Sequence, residues 1–477
     1  MKRCHLYLIL LFVCQLLLTV AKAQLATDCT LYAAVPPTGN DANNGTTALT
    51  PKTFTGAASA TVAGSIVCLE GGTYSLTTTF QPPHVGTATA YIVYKAYGDS
   101  PPVFLWNGCN VAGCRMFLLG TESLGFPGPH YIEFNGLTLD GNERATNAFS
   151  VLGSHHIRIL NCRMINTGGA GVAAIDSDYL TLDHNQIFHN GTNAGSDPTY
   201  GTCCGWTSGI AHNSAQFLDS YTGLHILITN NLIAGEVDGS SHHTDGNGII
   251  LDLSCRSGCT TLATAHTPPV LIMNNVAYQN GGKCILANIV SDFYVINNTC
   301  YKNGLDLALT TTPSEFAERV SRNGVYANNI DYAWGGQSHN YSYDSDAGGS
   351  SSISYFKEMW LVGGLNFTPS DPSQFFNLDP QFVSPPSINP NLGHQYASAT
   401  DPALIGTALT LQGSSPAINA GIDPSTISGL PAQILTDLRL YIYSDINGIG
   451  RTAGNWNLGA YQFAPPAPPA GLTTTVH

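Results

Sequence analysis

A pair of adjacent asparagines recurs between short apolar runs, and its spacing restricts the fold more than any other feature of the chain. Residues 227–233 read Leu-Ile-Thr-Asn-Asn-Leu-Ile, residues 271–277 read Leu-Ile-Met-Asn-Asn-Val-Ala, and residues 295–301 read Val-Ile-Asn-Asn-Thr-Cys-Tyr. Asn274 to Asn297 is one step of 23 residues. A fixed step of this size, carried by short alternating apolar runs without a helical period, predicts a solenoid of stacked β-coils. The asparagines suit an inward corner, where stacked amides hydrogen-bond to the coils above and below. Residues 131–140, 157–162 and 180–185 repeat the same edge, and Asn161 to His184 is again 23 positions, so consecutive coils should stack in register. Residues 168–172, 208–210, 245–251 and 281–285 read as a second sheet of those coils.

Composition supports this reading. Charged residues make up only 10% and glycine is abundant, which favours turns over helices laced with ion pairs. A net charge of −14 argues against nucleic acid as a partner, since phosphate binding needs a basic stripe. An anionic substrate would need a bound cation or a local basic patch. Residues 1–23 read as a secretory signal: Lys2 and Arg3, an apolar run over 6–20, then Ala21-Lys22-Ala23. The mature chain is therefore expected to be secreted, extracellular or periplasmic, with no membrane span. Export favours disulfides. Cys109 with Cys114, Cys255 with Cys259, and Cys29 with Cys68 are candidate pairs, and Cys203-Cys204 are candidates to bond a neighbouring loop. Cys162, Cys284 and Cys300 read as small apolar residues of the interior. The cysteine spacings match no zinc pattern.

In chain order, residues 24–110 form an N-terminal cap and first coils, and 111–335 the coils, with inserted loops at 191–221 and 254–269. An irregular segment and C-terminal cap follow over 336–463, then a Pro-rich tail over 464–477. The stretch Gly39-Asn40-Asp41-Ala42-Asn43-Asn44-Gly45, then Val67-Cys68-Leu69 and Gly72-Thr73-Tyr74, resembles the N-terminal cap of secreted right-handed parallel β-helix proteins. Ser415 to Gly421 and Leu458 to Tyr461 resemble that family's C-terminal segment, with Asn457 where an Asp is usual. The fold expected is an all-β, single right-handed parallel β-helix with N- and C-terminal caps, the hand following the general preference of parallel crossovers.

The densest polar cluster holds Glu236, Asp238, His242, His243, Asp245 and Asp252, with Lys283 one coil later. Asp245 and Lys283 lie 38 positions apart, one coil plus the 254–269 loop, so stacking would set Asp245-Gly246 beneath Gly282-Lys283. This D-G motif followed by Gly-Lys-x-Ile resembles the family-nine pectate lyases of the pectin-lyase-like superfamily. The resemblance implies Asp245 as a Ca²⁺ ligand and Lys283 as the Brønsted base of a β-elimination on a uronic-acid polymer. The family's second Asp falls at Gly248, so a calcium shell would have to draw on Glu236, Asp238 or Asp252. His242, His243 and Trp206 are the expected substrate-binding groups, polysaccharide the expected partner, and a monomer the expected state. Two alternatives stay open. One is a glycoside hydrolase pairing Asp245 with Glu236 or Asp176. The other is a non-catalytic glycan binder with His155-His156 and His242-His243 on its rim.

Overall fold

The computed structural model describes residues 28–463 except 111–112, 124, 192–205, 254–266, 337–339, 346–349, 389–394 and 453. The expected signal over 1–23, the Pro-rich 464–477, residues 192–205 and 254–266 of the two insertions, and with them Cys203, Cys204, Cys255 and Cys259, lie outside these residues. The chain is a parallel β-helix. Each coil contributes to three parallel ladders. The first begins with Leu31–Ala33, Ile66–Leu76 and Ile92–Trp106 and continues from His130–Asn135 through Asp178–Asp183, Ile226–Thr229 and Val270–Met273 to Ser354–Phe356. The second runs from Thr138–Asp140 through Leu232–Ala234 and Val276–Tyr278 to Phe375–Asn377. The third, a separate sheet, holds Ile210–Asn213, Ile249–Asp252, Ile285–Asn288 and Ser314–Arg319 among its strands.

The register follows the repeat. Ile228, Ile272 and Val295 are aligned partners on successive coils and point into the core. The corner between the first two ladders is built by the asparagine pairs. Asn230, Asn274 and Asn297 take left-handed backbone conformations, which Asn tolerates better than most residues. The second Asn of each pair turns inward. Asn231 donates from Nδ2 to Asn275 Oδ1 at 2.9 Å, Asn275 to Asn298 at 3.0 Å, and Asn298 to Asn329 at 3.1 Å. Each amide also donates to a backbone carbonyl one coil back, so the row leaves few buried polar groups unpaired.

At the N-terminal end, helix Phe54–Ser59 covers the open coil, capped by Thr53 Oγ1 accepting from Gly56 N at 3.0 Å. Phe54 packs against Tyr74, Phe80, Tyr94, Phe104 and Phe117, which seals the interior. At the other end, Phe367 and Phe375 close over Tyr355. The remaining C-terminal chain then turns back and lies lengthwise over the outer faces of the first two ladders. Its Phe382, Leu409 and Leu411 cluster with Val276, Tyr278 and Tyr301, and its Ile434, Leu438 and Ile442 cluster with Leu271, Met273 and Tyr294. Arg163 and Asp401 clamp this strap bidentately at 2.9 and 2.7 Å.

Cys29–Cys68 and Cys109–Cys114 are disulfides, and Cys162 is a buried free thiol. Cys284 and Cys300 depart from expectation. They are buried as expected, but coil stacking brings their sulfurs together and they form a disulfide across the interior. Among the described residues no helix is long and apolar enough to cross a membrane.

Candidate active site

The corner between the second and third ladders gathers most of the expected site residues. Gly282 N donates to Gly246 O at 2.8 Å and Gly248 N to Lys283 O at 2.8 Å, so the Asp245-Gly246 turn sits directly beneath Gly282-Lys283. Gly282 is required there: a Cβ would come within 2.1 Å of Asp245 O. Asn247 fastens the two coils, its Oδ1 accepting from Lys283 N at 2.8 Å.

Lys283 and Asp245 are electrostatic neighbours, each feeling the other's charge. Lys283 is only 2% exposed. Burial pulls its amine down to about 8, against the opposing pull of Asp245. Burial, reinforced by Asp238, pushes the Asp245 carboxyl up to about 7. Lys283 Nζ donates to Thr311 Oγ1 at 2.9 Å, and Thr311 in turn donates to Thr244 O at 3.0 Å. A loop from the next coil thus roofs the corner, with Thr310 N bonded to His243 O at 2.7 Å. His243 Nδ1 pairs with Asp306 Oδ2 at 2.8 Å. On the outer side, Trp206 stacks on His242 with ring centroids 4.1 Å apart, and Trp206 is 60% exposed. Arg319, on the strand aligned with Ile285–Asn288, adds positive charge felt by Lys283.

Two expected members lie elsewhere. Glu236 faces the interior as a rung of a second asparagine row. Asn190 Nδ2 donates to Glu236 Oε1 at 3.0 Å, Glu236 N to Asn280 Oδ1 at 3.0 Å, and Asn280 Nδ2 to Asn303 Oδ1 at 2.8 Å. Burial pushes the Glu236 carboxyl up to about 8. Asp252 occupies the far end of its strand, where Asn288 Nδ2 donates to it at 2.6 Å. The strand's length, not the turn, separates it from Asp245. Asp238 stays at the corner, but its oxygens accept from Ser240 N and Oγ and from Thr244 N.

Calcium does not fit this arrangement. Among the described residues, the one group of three or more His, Cys, Asp or Glu with ligand atoms mutually within 4.8 Å is Cys284, Cys300 and Glu315. There the sulfurs are joined to each other. The acids assigned to calcium are dispersed between interior, corner and strand end, whereas Ca²⁺ takes 6–8 converging oxygens. The hydrolase pairing also loses its second carboxylate. Glu236 is inside, and the fully buried Asp176 follows the third ladder at the opposite corner.

The His155-His156 pair is half-buried and belongs to a stacked column. His156 stacks on Tyr131 at 4.5 Å and on Tyr179 at 4.4 Å, and Tyr179 stacks on His225 at 4.4 Å. Thr311, Asp306, Asn247 and Arg319 were not singled out from sequence. Asn247 alone had a local signal, inside Asp-Gly-Asn-Gly; Asp306 and Thr311 reach the corner from the next coil, and Arg319 lies at the far strand end, aligned with Asn288.

No family model matches the sequence, and no curated protein matches it. Solved structures do resemble it. A pectate lyase, Pel9A, shares 14% identity at a TM-score of 0.49, covering 91% of this chain and 96% of that one. A protein described as a glycoside hydrolase shares 11% at 0.49, covering 73% and 95%. An alginate lyase from Paenibacillus sp. shares 16% at 0.41, covering 68% and 94%. At these identities the likeness is one of fold.

Proposed function

We propose that the chain is a polysaccharide lyase that cleaves a uronic-acid polymer by β-elimination, with Lys283 as the base. The observation that carries the reading is a buried lysine, its amine brought down to about 8, one coil above a carboxylate on the flank of a solenoid. A free lysine amine near ~10.4 is almost wholly protonated at neutral pH, whereas one near 8 supplies a usable fraction of base. The neutral amine takes the proton on the carbon bearing the uronate carboxylate. The released pair forms the C4–C5 double bond, the C4–O4 bond breaks, and O4 departs with a proton from solvent. Asp245 favours the ammonium that forms. The stacked Trp206 and His242 rings offer a platform for a sugar face. Substrate reaches Nζ by displacing the Thr310-Thr311 roof.

On this reading the reaction runs without calcium, because Glu236 and Asp252 are turned to other partners. Turnover of polygalacturonate or alginate is expected to yield unsaturated products absorbing in the ultraviolet, and to survive a chelator. Lys283→Ala should lower that rate by ~10²-fold or more with an unchanged melting transition. New reducing ends without ultraviolet absorbance, or full activity in Lys283→Ala, would refute the assignment.

A further inference from the structure

Away from that corner, an open cleft of about 410 Å³ lies between the outer face of the first ladder and the returning C-terminal strap at residues 427–431. A second lobe of about 260 Å³ shares Asp292, Tyr294 and Pro431 with it, so the two form one trough running along the axis. One wall is a row of coil-corner residues, Asp292, Asn323 and Ser352, all in left-handed conformations on successive coils. Asn323 Nδ2 donates to Asp292 Oδ1 at 3.0 Å, which orients both groups. Tyr294 and Phe356 line the first lobe, and Phe217 and Tyr221, both substantially exposed, line the second. No lysine or arginine lines either lobe among the described residues.

The geometry points to a binding site for a neutral oligosaccharide. Vicinal sugar hydroxyls match an oriented row of carboxylate, amide and hydroxyl groups, and the apolar C–H faces of pyranose rings match aromatic walls. Coils recur every ~4.8 Å, commensurate with one linked pyranose, so successive coils meet successive sugars with equivalent groups. Charge disfavours a uronate here, because among the described lining residues Asp292 has no cation to offset a second carboxylate. The trough is therefore assigned to neutral sugars, whatever the Lys283 corner acts on. The lyase reading guides only the choice of probes.

The test is calorimetric titration of the full chain carrying Lys283→Ala with neutral hexasaccharides of glucose, galactose and arabinose, and with an oligogalacturonate. At least one neutral hexasaccharide should bind. Ser354→Trp, which fills the trough from an exposed position, and Asp292→Asn should each weaken it by at least about tenfold, with melting unchanged. Absence of binding by every neutral probe, equal binding by both variants, or exclusive binding of oligogalacturonate at this trough would overturn the assignment. Since binding is read without turnover, failure here leaves the lyase reading standing, and failure of the lyase reading leaves this one.

Discussion

Lys283 titrates where it does because burial and Asp245 oppose one another, and that opposition makes a pH prediction. The base is the neutral amine, so the rate should rise with pH through about 8. Asp245 raises the lysine, and Asp245→Asn removes that charge; the rising limb should then move to lower pH, as read from kcat/KM profiles. A limb that stays in place would show that the two groups do not share a field. Glu236 makes a second prediction. Its folded value, about 8, lies above the ordinary 4.5, so its stabilising contribution is complete below 4.5 and lost as pH climbs through 8. Glu236→Gln should flatten part of the fall in stability over that window and leave turnover intact, whereas a calcium ligand or catalytic acid would tolerate neither. Loss of turnover in Glu236→Gln with the fold intact would return that residue to the active site. The Asp245 and Lys283 pairing was legible in sequence because it needs only the register. Glu236 was not, since nothing local to a carboxylate reveals that Asn190 and Asn280 from other coils enclose it.

Among elements, the paired asparagines announced themselves and the single ones did not. Asn230-Asn231, Asn274-Asn275 and Asn297-Asn298 combine a left-handed corner with an inward amide, a doublet visible by eye. The second row, Asn190, Glu236, Asn280 and Asn303, has one inward residue per coil and substitutes an acid at one rung, so its period is hidden. Both rows end on a buried carboxylate: Asn329 Nδ2 donates to Glu358 at 3.0 Å, and Asn303 Nδ2 is bonded to Glu315. A rung bears on its neighbours. Asn298→Ala would strand the N–H groups of Asn275 that now reach Asn298 Oδ1 at 2.9 and 3.0 Å. An orphaned buried donor costs ~1–3 kcal/mol, so this variant should lose ~2–6 kcal/mol in urea unfolding. A loss below ~1 kcal/mol would mean that water or a neighbouring carbonyl replaces the amide, and that the row contributes register more than stability.

For the molecule as a whole, the coils were readable and the path of the strap was not. The motif at 415–421 resembles a closing cap, yet the chain lies along the side, because a local pattern specifies a contact surface and not the direction from which it is approached. A signal did exist in the coils themselves. Asp178–Asp183 alternates buried and half-exposed residues, as one covered face requires, whereas Val270–Met273 and Phe293–Ile296 are buried throughout. Strands buried on both faces read as continuous apolar runs, so the change from alternation to run marks where another layer must lie. Ending the chain after Asn377 should therefore uncover Leu271, Met273, Tyr294 and Ile296 on one ladder and Val276 and Tyr278 on the next. Each such side chain gains ~1.5–3 kcal/mol from burial, and together they form an apolar patch too large for a soluble monomer to leave open. The shortened chain should bind a hydrophobic dye and self-associate on size exclusion. It should also lose the trough whose far wall is residues 427–431. A monodisperse shortened chain that melts like the full one would show that the coils alone complete the fold, and that the strap serves the trough rather than the core.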